Sequence, residues 1–385
     1  MNAWPVFQIK EIARVVGGAT PKSGTVEYWD GEIPWTTPKD LSDLDGKYLT
    51  DTPRKITSAG LKSCSSELLP PNSVLFSSRA PIGHVAINTV PIATNQGFKS
   101  FVPGPKLDAS FLFWWLKCNR DQLELLGNGA TFKEVSKAVV ERIEIPLPPL
   151  DEQKRIAAIF DQAEELRRKR QRTIDGLHKL GQALFYEMFG DPNANDKKWP
   201  SIPVGQVTDC IVPGRDKPKS FSGDIPWITT AEIVHLGLTS YSNAKIALSH
   251  DEVREVRAKI VPTNSVIMTC VGDLGKVSIA QVPMVINQQL HSFQCRSGID
   301  PFFLMYMLSH RQSWMAQMAT QTTLPYMNKT VCNSVPILLP PIILQKEFST
   351  KLSQLLHLRK MMLSARDSLH GMIAPLQRRA FKGEL

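Results

Sequence analysis

Short apolar runs alternate with polar, turn-rich stretches over the first 145 or so residues, and then the period changes. Ser73-Val74-Leu75-Phe76 and Val85-Ala86-Ile87 read as strands, with Gly83 between them where a tight turn favours glycine. Asp108 precedes a denser apolar stretch, Phe111-Leu112-Phe113-Trp114-Trp115-Leu116, which predicts a capped helix. Its aromatics are too crowded for an exposed stacking platform, so core is the expectation. Leu147-Pro148-Pro149-Leu150 stops the preceding strand, and Asp151 can cap a new helix. Beyond it, Ile156, Ile159, Ala163, Leu166, Arg170, Thr173, Leu177, Leu180 and Leu184 recur by threes and fours. That spacing predicts a long helix with a coiled-coil seam, interrupted at Arg170 and Thr173 and weakened at Gly176 and Gly181.

The same order then repeats. Ile33-Pro34-Trp35 returns as Ile225-Pro226-Trp227, 192 positions later (225 − 33). The offset holds for Asn72-Ser73-Val74 and Asn264-Ser265-Val266, for Asn95-Gln96 and Asn287-Gln288, and for Ser100-Phe101 and Ser292-Phe293. It holds again for Pro148-Pro149 and Pro340-Pro341, Gln153-Lys154 and Gln345-Lys346, and Leu177-His178 and Leu369-His370. Repeats of 20–50 residues would indicate a solenoid, so this larger period indicates a tandem duplication of a domain-sized unit. The second seam reads Phe348, Lys351, Leu355, Leu358, Met362, Ala365, Leu369, Met372 and Leu376, with Pro375 as a weak point.

The expected architecture is α+β: two homologous mixed α/β domains joined by two long, coiled-coil-like helices, with a pseudo-twofold internal repeat. The expected boundaries are 1–146 for the first globular domain, 147–190 for the first helix, 191–338 for the second domain and 339–385 for the second helix. Each helix of about 34 residues would run roughly 50 Å. Two matching seams in one chain most simply pack on each other, and antiparallel packing would set the globular domains at opposite ends. The polar stretch Phe189-Gly190-Asp191-Pro192-Asn193-Ala194-Asn195 can carry the chain from helix to second domain.

Length and composition fit two ordinary domains: 385 residues, 42% hydrophobic and 21% charged. The net charge of +9 favours polyanionic partners. The six cysteines form no C-x-x-C pair and are not shared between the copies, which suits small core residues in a reducing compartment. The N-terminus does not read as a signal peptide, and Val335–Leu344 is too short and proline-rich to span a bilayer. A cytoplasmic protein without a membrane association is expected.

Enzyme signatures are missing from the sequence. Gly272-Asp273-Leu274-Gly275-Lys276 has neither the spacing of a phosphate loop nor a Ser or Thr after the lysine. There is no G-x-G-x-x-G, H-E-x-x-H, EF-hand or G-x-S-x-G pattern, and no Asn/Asp-Pro-Pro-Tyr/Phe tetrapeptide. Asp151-Glu152-Gln153-Lys154 sets acids near a lysine, but at a helix start acids serve the helix dipole. No catalytic residue, metal site or cofactor is expected. Basic residues are plentiful instead. Arg167, Arg168, Lys169, Arg170 and Arg172 form a run in the first helix, which also reads as a solvated face. Lys22, Arg54, Lys55, Lys62, Arg79, Lys99, Lys133 and Lys137 come from the first globular domain, and Arg215, Lys217, Lys219, Lys245, Lys276 and Lys329 from the second. Lys137 and Lys329 coincide between copies. Shared basic residues would suit phosphates, and unshared ones base edges.

Several ordered segments resemble a known family. They are Ile33-Pro34-Trp35-Thr36-Thr37, then Pro71-Asn72-Ser73-Val74-Leu75-Phe76-Ser77-Ser78-Arg79-Ala80-Pro81-Ile82-Gly83, then Asn95-Gln96-Gly97-Phe98. Asn128-Gly129-Ala130-Thr131 comes next, leading to Ile145-Pro146-Leu147-Pro148-Pro149-Leu150-Asp151-Glu152-Gln153-Lys154. The set, over essentially the whole chain, is similar to the specificity (S) subunits of type I restriction-modification systems. The second copy departs where Val271-Gly272-Asp273-Leu274 replaces Arg79-Ala80-Pro81-Ile82, and where Gln289 and Leu290 replace Gly97 and Phe98.

The resemblance implies that the globular domains are target-recognition domains, each reading one half of a bipartite, asymmetric double-stranded DNA site. It implies helices that act as a spacer, docking of methyltransferase subunits (two of them) and of restriction subunits, and no catalysis by the chain itself. The DNA-contact candidates are then Lys22, Arg79, Lys99, Thr131, Lys133 and Lys137, with Lys219, Lys276, His291 and Lys329 in the second copy. The partner-contact candidates are Gln153, Lys154, Arg167, Arg168, Gln345 and Lys346. The alternatives are a stand-alone DNA-binding regulator with two fused half-site readers, and an enzyme whose site carries no familiar signature.

Overall fold

The computed structural model describes residues 4–79, 81–128, 133–213, 216–242, 246–320 and 323–382. By contact the chain divides into two units. One runs to Lys169 and resumes at Arg366; the other is Arg170–Ala365. The division falls inside two long helices, Leu150–Phe189 and Ile342–Lys382, because each helix contributes one end to each unit's core.

In the first unit a five-stranded sheet runs in the order Ala13–Gly17, Lys99–Pro103, Val74–Phe76, Val85–Asn88, Tyr48–Leu49. All neighbours are antiparallel except the last pair. A three-stranded sheet, Lys55–Ile56, Trp29–Thr36, Ala93–Thr94, is interleaved with it in sequence, and Val6–Gln8 pairs with Glu144–Pro146. The helix Ala109–Cys118 is capped by the Asp108 carboxylate, which accepts the Phe111 N–H at 2.9 Å. Phe111–Leu116 are all buried, as the crowded aromatics predicted. The first long helix adds Ile156, Ala157 and Phe160 to this core, and the second adds Phe381, stacked on Phe160 with ring centroids 5.7 Å apart.

The second unit repeats the plan strand for strand. Its five-stranded sheet is Thr208–Ile211, Leu290–Cys295, Val266–Thr269, Val277–Ala280, Gly237–Thr239. Its three-stranded sheet is Ala247–Leu248, Ile225–Ile228, Val285–Ile286, and Ser201–Pro203 pairs with Pro336–Leu338. Helix Pro301–Ser309 buries Phe303–Leu308 against Phe185, Phe189 and Phe348 of the long helices. Even the backbone turns match: Asn72 and Asn264 both sit at positive φ, 65° and 61°. Within this unit Arg170 donates to the Ala365 carbonyl at 2.6 Å, while Gly181 abuts Leu352. Numbers rise on one helix as they fall on the other, so the two run antiparallel. Gly181 is required there, because a β-carbon would strike the Tyr306 hydroxyl.

The expected seam holds at the start of each helix, where Ile156 and Phe348 are fully buried, and is displaced by one residue further along. Leu166 and Leu180 are 41% and 51% exposed, and Leu358 and Met372 are 44% and 69% exposed. The other buried positions include Ala157, Phe160, Ile174, Gly181 and Phe185, with Leu352 and Leu356 on the second helix. Beyond the first turns, apolarity alone points to the stripe beside the packed one. The true one carries Glu164 and Arg167, which are tolerated because they pair with each other at 2.8 Å. Among the described residues no helix is long and apolar enough to cross a membrane.

Candidate nucleic-acid interface

Each unit builds a hairpin loop around one hydroxyl. In the first, Ser77 Oγ donates to the Pro81 carbonyl (2.7 Å) and accepts the His84 N–H (2.8 Å). In the second, Thr269 Oγ1 donates to the Asp273 carbonyl (2.5 Å) and accepts the Lys276 N–H (2.9 Å). Gly83 and Gly275, at φ 92° and 77°, close the loops, and each donates to the carbonyl of the stapling residue at 3.0 Å. The next residue joins two further segments. The Ser78 N–H reaches the Gly97 carbonyl and its own carbonyl takes the Val135 N–H, both at 2.8 Å. Cys270 does the same with Gln289 and Met327, both at 2.9 Å. Three segments, a hairpin loop, the Asn-Gln turn and the strand-like 133–135 or 325–327, therefore converge on one bonded frame in both units.

In the first unit this frame borders an open groove of about 550 Å³, lined by Thr37, Pro38, Lys39, Arg79 and Gln96 among others. Gly97 lines it too, and a β-carbon there would crowd Pro38 and the Asn95 side chain. Arg79 is exposed and bridges the Glu134 backbone, while Lys99 Nζ lies 3.2 Å from the Glu134 carboxylate. Arg79, Lys99 and Lys133 are thus gathered around Glu134. Lys22 is exposed. Its neighbour Thr20 hydrogen-bonds Gln96 through its hydroxyl. Lys137 stands elsewhere, paired with Glu141 at 3.7 Å in a second groove shared with Lys10, Arg14 and Lys106. Thr131, Arg215 and Lys245 lie outside the described residues. Thr37, Lys39 and Gln96 line the groove although charge counting did not single them out; the shared Asn-Gln pair was the available signal.

In the second unit Lys219 and Lys329 are exposed, and Lys276 pairs with Asp273 at 2.7 Å. His291 differs from expectation. It is 2% exposed, packs on Phe293 and shares a 3.3 Å hydrogen bond with Asn333. Burial is the main cause that pushes its pKa down to about 4, so it is a neutral core side chain and not a surface contact.

The helix-start glutamines also need correcting. Gln153 and Gln345 are 1% and 0% exposed. Gln153 accepts the Asp108 N–H (2.8 Å) and donates to the Lys106 and Pro148 carbonyls (2.9 and 2.8 Å). Gln345 accepts the Asp300 N–H (2.9 Å) and donates to the Pro340 carbonyl (2.8 Å). Every buried polar group there is committed to holding helix to domain, so neither side chain can meet a partner. Lys154 and Lys346, one residue on, are exposed. Arg167 and Arg168 both bond Glu164, and Arg168 also faces Asp45 at 3.5 Å. Burial raises the Glu164 pKa, but Arg167, Lys117 and Arg168 outweigh it and hold the group at about 2. Among the described residues no group of three His, Cys, Asp or Glu side chains could hold a metal ion.

Comparison with known proteins agrees with this duplicated frame. The type I restriction modification DNA specificity domain profile matches residues 1–175 and again 197–362. The type I restriction enzyme MjaIX specificity subunit of Methanocaldococcus jannaschii is 28% identical, over 89% of this chain and 84% of that one. The EcoR124I/EcoR124II specificity subunit of Escherichia coli is 27% identical over 40% of each chain. The crystal structure of the type I restriction-modification S subunit from M. genitalium shares the fold, with a TM-score of 0.63 over 98% of this chain and 96% of that one at 15% identity. Two profile matches covering most of the sequence, one per structural unit, place the chain in the family of type I restriction-modification DNA specificity subunits, which are non-catalytic components of their complexes.

Proposed function

We propose that this chain supplies the DNA sequence specificity of a cytoplasmic type I restriction-modification complex, with each unit reading one half of a split, asymmetric double-stranded site. Two methyltransferase subunits dock on it, and restriction subunits join them. The observation that carries this reading is one hydrogen-bonded frame presenting different chemistry in its two copies. Where the first unit has Arg79, Gly97 and Glu134, the second has Val271, Gln289 and Tyr326. Equal frames suit the common geometry of duplex DNA, and unequal side chains suit unlike base pairs. The exposed Lys154 and Lys346 and the basic run from Arg167 support a partner surface on the long helices.

The test is to express the chain with its methyltransferase subunit and map methylated adenines across a genome. The expected result is a two-part motif with a fixed unspecified spacer. A continuous motif, or strong specific binding by the chain without its partner, would favour a stand-alone regulator instead.

A further inference from the structure

Arg54 of the first unit is held against two indole rings. Its guanidinium carbon stands 3.9 Å from the Trp29 ring centroid and 5.0 Å from that of Trp35. The two indoles meet edge to face, 5.1 Å apart at 85°. Both are tethered: the Trp35 indole N–H donates to the Ala19 carbonyl (3.1 Å) and that of Trp29 to the Lys22 carbonyl (3.3 Å). The Arg54 backbone is fixed too, since its carbonyl accepts the Trp35 N–H (3.1 Å) and the Thr52 hydroxyl (2.6 Å).

The guanidinium itself is exposed, and among the described residues it makes no hydrogen bond or ion pair. The nearby carboxylate of Asp51 is taken by Lys55 at 3.3 Å. A guanidinium stacked by its face keeps its N–H edge available, and that edge matches a phosphate or a guanine. The stack adjoins the groove through residues 19–22. Those residues accept both indole N–H groups, and Thr20 among them bonds the groove residue Gln96. Arg54 is not itself a lining residue; it stands beside the groove, joined to it through Trp29, Trp35 and residues 19–22, which suits a backbone contact better than a base contact.

The second unit keeps the platform without the arginine. Phe221 and Trp227 replace Trp29 and Trp35, with centroids 6.4 Å apart, and Ile246 stands where Arg54 does. We propose that Arg54, presented edge outward by Trp29 and Trp35, grips a DNA backbone phosphate beside the first unit's groove, a contact the second unit lacks. The proposal rests on the reading that the first unit binds a half-site.

The test uses the complex of this chain with its methyltransferase subunit, the motif mapped from the unaltered complex, and two duplexes, one carrying that motif and one unrelated. Arg54→Ala should weaken both duplexes about eightfold near 0.1 M salt and flatten the salt dependence by about one charge, leaving the methylated motif unchanged. Arg54→Lys should keep the charge but lose part of the affinity, and Trp29→Ala should flatten the salt dependence although the arginine remains. Arg254→Ala, an exposed arginine of helix His250–Glu255, controls for general surface charge. Melting temperatures confirm folding of each variant. A motif that relaxes at one base would make Arg54 a base reader and overturn the phosphate assignment, as would unchanged affinity and salt slope, or an equal effect from Arg254→Ala. If the unaltered complex methylates no split motif, the parent reading falls and this contact with it; a normal split motif with an inert Arg54→Ala overturns this contact alone.

Discussion

The backbone N–H of Asp108 donates to Oε1 of Gln153 at 2.8 Å, tying the cap of a buried helix to the first turn of a long one. With the two carbonyls that Gln153 also satisfies, this makes the glutamine a structural rivet. Gln153→Ala would leave three backbone groups without their partner. It should destabilise the first unit by about 2–4 kcal/mol, since a buried unsatisfied group costs roughly 1–3 kcal/mol and water can recover part of it. Thermal and denaturant melts measure this. Full stability with lost methyltransferase binding would return Gln153 to the partner surface.

Lys47 and Asp161 join the first recognition domain to the first long helix at 2.6 Å, and the Trp114 indole N–H bonds the same carboxylate at 2.8 Å. The Lys47 side chain is only 11% exposed, while Asp161 is 42% exposed. Asp161→Ala leaves a mostly buried ammonium with the Ser110 hydroxyl at 3.2 Å but no carboxylate, and strands an indole N–H. Partial solvent access lowers the loss from that of a fully buried pair to about 2 kcal/mol. Ser353→Ala, at the matching position of the second unit, should change stability by less than about 0.5 kcal/mol. Equal losses at both positions in a denaturant titration would contradict the assignment.

His291 gives the second unit a pH dependence. Its folded pKa of about 4 lies below the ordinary histidine value near 6.5, so the unfolded chain binds the proton more readily. The stability it contributes is complete above about pH 6.5 and is lost as pH falls toward 4, by about 3 kcal/mol in all. Denaturant melts at pH 7 and pH 4.5 should show the unaltered chain losing more stability than His291→Gln. Parallel losses in the two proteins would refute the burial argument.

The repeat, the strand pairs flanking Gly83 and Gly275, and the two long helices were legible in the sequence because each is a matter of spacing. The seam was legible only at the start of each helix. A scan for apolar residues chose Leu166 and Leu180, while the packed face tolerates Glu164 and Arg167 as a bonded pair and needs Gly181 for room. Gln153 and Gln345 were visible as a shared pair, but sequence does not distinguish a polar residue kept for a surface from one kept for buried backbone groups. His291, a DNA-contact candidate in the sequence, is buried for a reason the sequence likewise does not show. The Arg54 stack was hidden because its parts, Trp29, Trp35 and Arg54, meet only after the three-stranded sheet forms.

The central claim is that the two frames read independently. Replacing residues 1–146 with the corresponding domain of a related specificity subunit, then mapping methylated adenines in cells that also express the methyltransferase subunit, tests it most directly. One half of the motif should change while the other half is retained. A motif changed in both halves, or unchanged altogether, would contradict the claim.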